Sequence, residues 1–202
     1  KNEKVLVTTY TTNLSVTIKG LLEQMAPTLQ NKIEVTNLHQ LARTISQRSG
    51  WRGKIAEEED CRYIWGNLYK NTSIDKSVYR LSDLVDEYEQ IIDRMGIDSE
   101  ELYLTAIRSG RPRLLRKQRK QLWVVFSEFQ RELVKRNMLT FEGVVHQARL
   151  ALEQGKFPKY RHVLVDELQD FGLEALRLIA AISPIVEELN NPLCVVGDGH
   201  QR

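Results

Sequence analysis

A chain of 202 residues is long enough for one large domain or two small ones with a real apolar core, and at 42% hydrophobic and 28% charged it has an ordinary globular composition. A net charge of +2 gives no global argument for nucleic acid, so any basic binding surface has to be local. Cys61 and Cys194 are far apart, lack metal-ligand spacing and fit reduced thiols, with a disulfide as the unsupported alternative, and no apolar run approaches the roughly 18 residues that span a membrane.

Val5-Leu6-Val7-Thr8-Thr9 reads as a buried strand, followed by the hydroxyl-rich loop Thr9-Tyr10-Thr11-Thr12-Asn13. Leu14, Ile18, Leu21 and Leu22 have helical spacing up to Pro27. Ile33 to Thr36 is a second short strand with the exit loop Asn37-Leu38-His39, and Leu38, Leu41, Ala42 and Ile45 start a second helix. Strand, helix, strand, helix is the pattern of a parallel α/β sheet. From about Ser49 to Gln154 strand signal fades. Gly50 to Gly53 breaks the chain, and helical stripes follow: Cys61 to Tyr69, Leu81 to Ile92, Ser99 to Ile107, Leu122 to Leu133 and Phe141 to Leu152. Strand character returns at Val163-Leu164-Val165, a helix runs from Leu173 to Ile182, and Leu193 to Val196 is a last strand before Gly197-Asp198-Gly199-His200-Gln201-Arg202. The expected organisation is an α/β parallel sheet formed by residues 1–48 and 151–202, with an all-helical insertion over 49–150.

Each of the strands delivers a polar loop at its carboxyl end, where open parallel sheets place their ligands. The most informative is VLVDELQDF, Val163 to Phe171. The apolar run suits a strand buried on both faces, and the adjacent acids Asp166 and Glu167 at its end are costly unless compensated. A hydrated Mg2+ compensates them, because it takes one or two carboxylates together with phosphate oxygens, and the second acid can polarise a water.

On these residues the chain resembles the first RecA-like domain of UvrD/Rep-type superfamily 1 DNA helicases, with that family's helical insertion. VLVDELQDF is similar to helicase motif II, the Walker B element; CVVGDGHQR resembles motif III; TTYTTNL looks like motif Ia; VTNLHQLA resembles the next DNA-contacting motif. The resemblance covers nearly the whole chain. It implies a partial P-loop NTPase sheet that binds ATP and Mg2+ and couples hydrolysis to movement on single-stranded DNA, in relatives generally 3′ to 5′. Asp166 would then be the Mg2+ ligand and Glu167 the residue that orients and activates water. Gln169 and Asp170 would couple the nucleotide site to motif III. Gly197 would allow that motif's turn, Asp198 would orient it and Gln201 would sense the γ-phosphate. Thr9, Tyr10, Thr11, Asn13 and His39 would lie along single-stranded DNA, with duplex DNA as a further partner. The resemblance also implies a cytoplasmic protein of the bacterial cytoplasm or nucleoid, and it names no protein partner and no membrane.

The pattern also departs from the family. No G-x-x-x-x-G-K-[S/T] occurs in the chain. The resemblance places a P-loop upstream of Lys1 and the second RecA-like domain, with its arginine finger, after Arg202. The chain alone is therefore expected to hydrolyse ATP only at background rate. Bland alternatives accompany the sites. Asp170 could cap the helix that begins near Gly172, Tyr10 could pack beneath its loop, His39 could be structural, and His200 reads as plain loop. Trp51, Trp65 and Trp123 suit core or semi-buried helix positions better than base stacking, and the basic run Arg108 to Lys120 reads as either a solvated helix face or a phosphate-binding surface. At the level of function the rivals are a helicase-like module that binds DNA or protein without hydrolysis, and a carboxylate-metal nuclease built on Asp166 and Glu167.

Overall fold

The structure, a computed structural model, describes residues 4–157, 160–183 and 192–198. Its elements in chain order are β1 (Val5–Thr9), α1 (Thr12–Met25), β2 (Ile33–Asn37), α2 (Leu38–Arg48), β3 (Lys54–Ile55), α3 (Glu58–Asn71), α4 (Leu81–Glu87), α5 (Glu100–Thr105), α6 (Arg116–Lys135), β4 (Met138–Leu139), α7 (Phe141–Glu153), β5 (His162–Val165), α8 (Leu173–Ile182) and β6 (Leu193–Val195). The chain forms two compact units, Lys1–Trp51 with Val144–Arg202, and Arg52–Gly143.

The first unit is built on a parallel sheet of order β2-β1-β5-β6. Side chains alternate between sheet faces, and Leu6 and Thr8 pair in register with Val163 and Val165. All four are buried, so this face is closed. The opposite face is more open: Leu164, expected to be buried on both sides of its strand, is 39% exposed. Helix α2 buries Leu38, Leu41, Ala42 and Ile45, the i, i+3, i+4, i+7 stripe of an amphipathic helix. Ser46 on α2 donates to the Val144 carbonyl of α7. Helix α8 departs from its simple pattern. Leu173 is exposed, whereas Glu174 is fully buried. Its carboxylate accepts from Arg149 on α7 and from Arg177 at 3.2 Å, and lies 2.8 Å from His146 Nδ1. Burial pushes the Glu174 carboxyl up, but the hydrogen bonds and charges of His146 and Arg149 outweigh this and hold it at about 2.

The second unit packs helices around an aromatic core. Trp65 stacks on Phe129 at 4.1 Å, and Tyr88 meets Phe129 edge-on at 4.7 Å. The expectation of an all-helical insertion is corrected in one respect. Lys54 and Ile55 pair in parallel with Met138 and Leu139. A ladder of two residues per strand is too short to leave a periodic signal in sequence. The basic run also resolves differently from a plain solvated face. Glu87, 3% exposed, receives Arg108 through Nε and Nη2, Arg111 at 3.3 Å and the Tyr103 hydroxyl at 3.0 Å. Arg119 donates to the carbonyls of Tyr103, Leu104 and Ala106. These arginines stitch the helical unit together, while Arg113, Arg116, Lys117 and Lys120 remain exposed. Trp65 is buried and Trp51 and Trp123 are half-buried, as core or near-core positions.

Candidate functional site

Because the sheet is parallel, the carboxyl ends of its strands lie along one edge, and backbone bonds tie them together there. Asp166 N–H donates to Thr8 at 3.0 Å, Val196 N–H to Val165 at 2.7 Å and Leu168 N–H to Val196 at 3.1 Å. The loops after β1, β5 and β6 are thus adjacent, and the loop after β2 joins them through a side chain. Asn37 caps α2 by accepting from Gln40 N–H at 2.8 Å, and its Nδ2 donates to Thr12 Oγ1 at 2.9 Å.

The loop after β5 carries the chemistry. Asp166 Oδ1 accepts the N–H of Glu167 at 2.9 Å. Glu167 is held at φ 55, ψ 44, in the left-handed region. For a glutamate this costs on the order of 1–3 kcal/mol, and such strain clusters at functional sites. The turn redirects the chain from β5 into a 3₁₀ turn at Leu168–Asp170. Gln169 donates its amide N–H to the Glu167 carboxylate and accepts from Asp198 N–H at 3.1 Å through its Oε1. One amide therefore spans from the second acid to the backbone of the loop after β6.

Gly197 is corrected in its role. It does not have the positive φ of a sharp glycine turn. A Cβ built there would stand 2.7 Å from Gln169 Oε1 and 3.3 Å from the Leu168 backbone nitrogen. The missing side chain leaves room for the Gln169 amide, and the glycine supplies no left-handed φ. The N-cap position of α8 is taken by Gly172 rather than Asp170. Asp170 ends the 3₁₀ turn and is exposed. Gln201 and His200 lie outside the described residues.

At the other end of the edge, Thr9 is buried and its hydroxyl donates to the Thr11 carbonyl at 2.8 Å. It shapes the loop from below. Thr11 and Asn13 are exposed, and Thr11 Oγ1 caps α1 by accepting from Leu14 N–H at 3.4 Å. Tyr10 is neither free nor packed away: it is 40% exposed and its ring is flanked by Phe171 at 5.4 Å and His39 at 6.3 Å, both near perpendicular. Phe171, Asn37 and Thr12 join the expected residues as contributors. Phe171 stood in plain view as the last letter of VLVDELQDF; the others became visible only through tertiary contacts.

The acids suit the metal implied by the family. Mg2+ makes few protein contacts, mostly carboxylate, and completes its shell with water and phosphate oxygens, so Asp166 at a strand end is a fitting ligand. Among the described residues no group of three or more His, Cys, Asp or Glu could hold a metal ion without such help.

A parallel α/β sheet with acids at one strand end, an amide bridge to the neighbouring loop and capped helix starts beyond the other strands is a RecA-like arrangement. The family model for the UvrD/REP helicase N-terminal domain matches residues 1–202, and the chain belongs to that family. It is 28% identical over 157 residues to DNA helicase IV of Escherichia coli (strain K12), a match covering 77% of this chain and 22% of that protein. The chain thus spans about a fifth of the length of this curated relative. No described helix is long and apolar enough to cross a membrane.

Proposed function

We propose that this chain is part of an ATP-dependent DNA translocase in which residues 1–48 and 151–202 form the partial RecA-like ATPase domain and 49–150 the insertion. The observation that carries the reading is the strained Glu167, joined through Gln169 to the backbone of Asp198. A left-handed glutamate is retained where its carboxylate has to point to a defined place.

In this reading Asp166 would hold Mg2+, which would supply charge neutralisation toward the phosphates of ATP. Glu167 orients the attacking water and takes its proton. The Gln169 amide holds the Glu167 carboxylate on one side and the Asp198 N–H on the other, so a change at the γ-phosphate is felt along the 197–198 loop. Asp170 continues that link, Gly197 leaves room for it and Gln201 is the γ-phosphate sensor. Thr11, Asn13 and His39 contact the phosphates of single-stranded DNA at the starts of α1 and α2, where backbone N–H groups and hydroxyls suit anions. Tyr10 offers a ring to a base, and Thr9 fixes the loop beneath it. Duplex DNA is a further partner, movement is 3′ to 5′, and the protein works in the bacterial cytoplasm or nucleoid.

The 202-residue chain by itself carries no P-loop motif and hydrolyses ATP only at background. The test is ATP turnover by the full-length protein with Mg2+ and single-stranded DNA. Turnover that rises with DNA and is lost in Asp166→Ala is the expected result. A full-length protein that binds DNA but never hydrolyses ATP would replace this reading with a non-hydrolysing module.

A further inference from the structure

The motif II run ends on Phe171, an aromatic residue that the nucleotide chemistry does not use. It is 6% exposed and follows directly on the acidic loop, its N–H donating to the Leu168 carbonyl at 3.3 Å. Its ring meets Tyr10 at 5.4 Å and 73°. Tyr10 also meets His39 at 6.3 Å and 72°. The backbone around Tyr10 is pinned as well, because Thr9 holds the Thr11 carbonyl and Thr11 caps α1. Tyr10 nevertheless remains 40% exposed.

Perpendicular packing is a favoured aromatic geometry, with the positive edge of one ring against the negative face of another. Two such neighbours restrict the ring rotations of Tyr10 while leaving part of its surface open. A ring held in this way stacks on an incoming base with less loss of side-chain freedom, which is how preorganisation raises affinity. Base-on-aromatic stacking tolerates any sequence, as a motor moving along a strand requires.

We propose that Phe171 is a positioning residue for single-stranded DNA: it fixes the Tyr10 ring as a base-stacking platform and anchors that platform to the acidic loop. The inference rests on the reading of the Tyr10 loop as a DNA contact. Phe171 itself touches no base. If it served only to fill the core, replacement by another apolar side chain of similar size would leave base recognition unchanged.

The test compares binding of oligothymidylate and of an abasic oligonucleotide of equal length to the full-length protein without nucleotide. Abasic binding reports phosphate contacts and folding, and the ratio of the two affinities reports stacking. Phe171→Leu and Phe171→Met are each expected to lower the ratio by about fivefold or more while leaving abasic affinity in place, and Phe171→Tyr to retain it. An unchanged ratio in Leu and Met variants that bind abasic DNA normally overturns the proposal, as does an equal loss for both oligonucleotides. Tyr10→Ala separates the levels. If it removes the ratio and the Phe171 variants do not, only the positioning role fails. If the wild-type protein binds neither oligonucleotide, the DNA reading of this loop fails, and the inference with it.

Discussion

Gly197 lies so close to Gln169 that a Cβ added to the glycine would come within 2.7 Å of the glutamine Oε1. The same Oε1 accepts the Asp198 N–H, and the amide nitrogen donates to Glu167. A methyl group at 197 therefore has to displace the amide that holds the Glu167 carboxylate. Gly197→Ala is expected to lower DNA-stimulated turnover of the full-length protein by about 10- to 100-fold, the scale of a misplacement near 1 Å. Gln169→Ala should have a similar effect, and the double variant should be no worse than Gln169→Ala alone. Additive losses in steady-state turnover would show that the two residues act separately.

The helical unit has its own centre of charge. Glu87 is buried beneath Arg108 and Arg111, and although burial raises its carboxyl, Arg108 and Tyr103 together bring it below the usual range. Glu87→Ala would leave Arg108 buried without its partner and is expected to cost about 3–5 kcal/mol of stability, as broken buried ion pairs do. Chemical denaturation followed by Trp fluorescence would read this, since Trp65 belongs to the same core.

The division of the basic run gives a second prediction for this unit. Arg108, Arg111 and Arg119 are engaged inside the unit, whereas Arg113, Arg116, Lys117 and Lys120 are exposed. Neutralising these four exposed positions is expected to flatten the salt dependence of DNA binding without lowering the unfolding midpoint. An unchanged salt slope would remove them from the DNA surface.

Glu174 links α7 and α8 and gives the sheet unit a defined acid sensitivity. Its folded carboxyl sits at about 2, against an ordinary value of 4.5. A lowered carboxyl stabilises the fold above its unfolded value, and that stabilisation is lost as pH falls from about 4.5 toward 2. The contribution is on the order of 3 kcal/mol at neutral pH. Glu174→Gln should lower stability at pH 7 and flatten its decline across the acidic window, as measured by denaturant midpoints.

The strands and their exit loops were legible because their residues are local and strongly patterned. Val5 to Thr9 and Ile33 to Thr36 became β1 and β2 with little change. The acids Asp166 and Glu167 were legible because they interrupt an apolar run. What escaped the sequence depends on tertiary partners. Nothing local marks Glu174 as buried, since a glutamate one residue into a helix reads as a favourable first-turn charge. Gly197 was visible as a glycine, but its reason, the Gln169 side chain 28 positions earlier in the chain, was not. Arg108 and Arg119 read as surface charge because their partners, Glu87 and a set of main-chain carbonyls, are distant in sequence or hidden in main chain.

In the proposed reading, Glu167 activates water for ATP hydrolysis while Asp166 holds the metal. Glu167→Gln in the full-length protein tests it most directly, with Mg2+-ATP binding and DNA-stimulated turnover measured side by side. The expected result is nucleotide affinity close to wild type with turnover reduced by about 100-fold or more, the contribution of a lost general base. Turnover that persists at the wild-type rate with intact binding would contradict the assignment and move the catalytic base elsewhere.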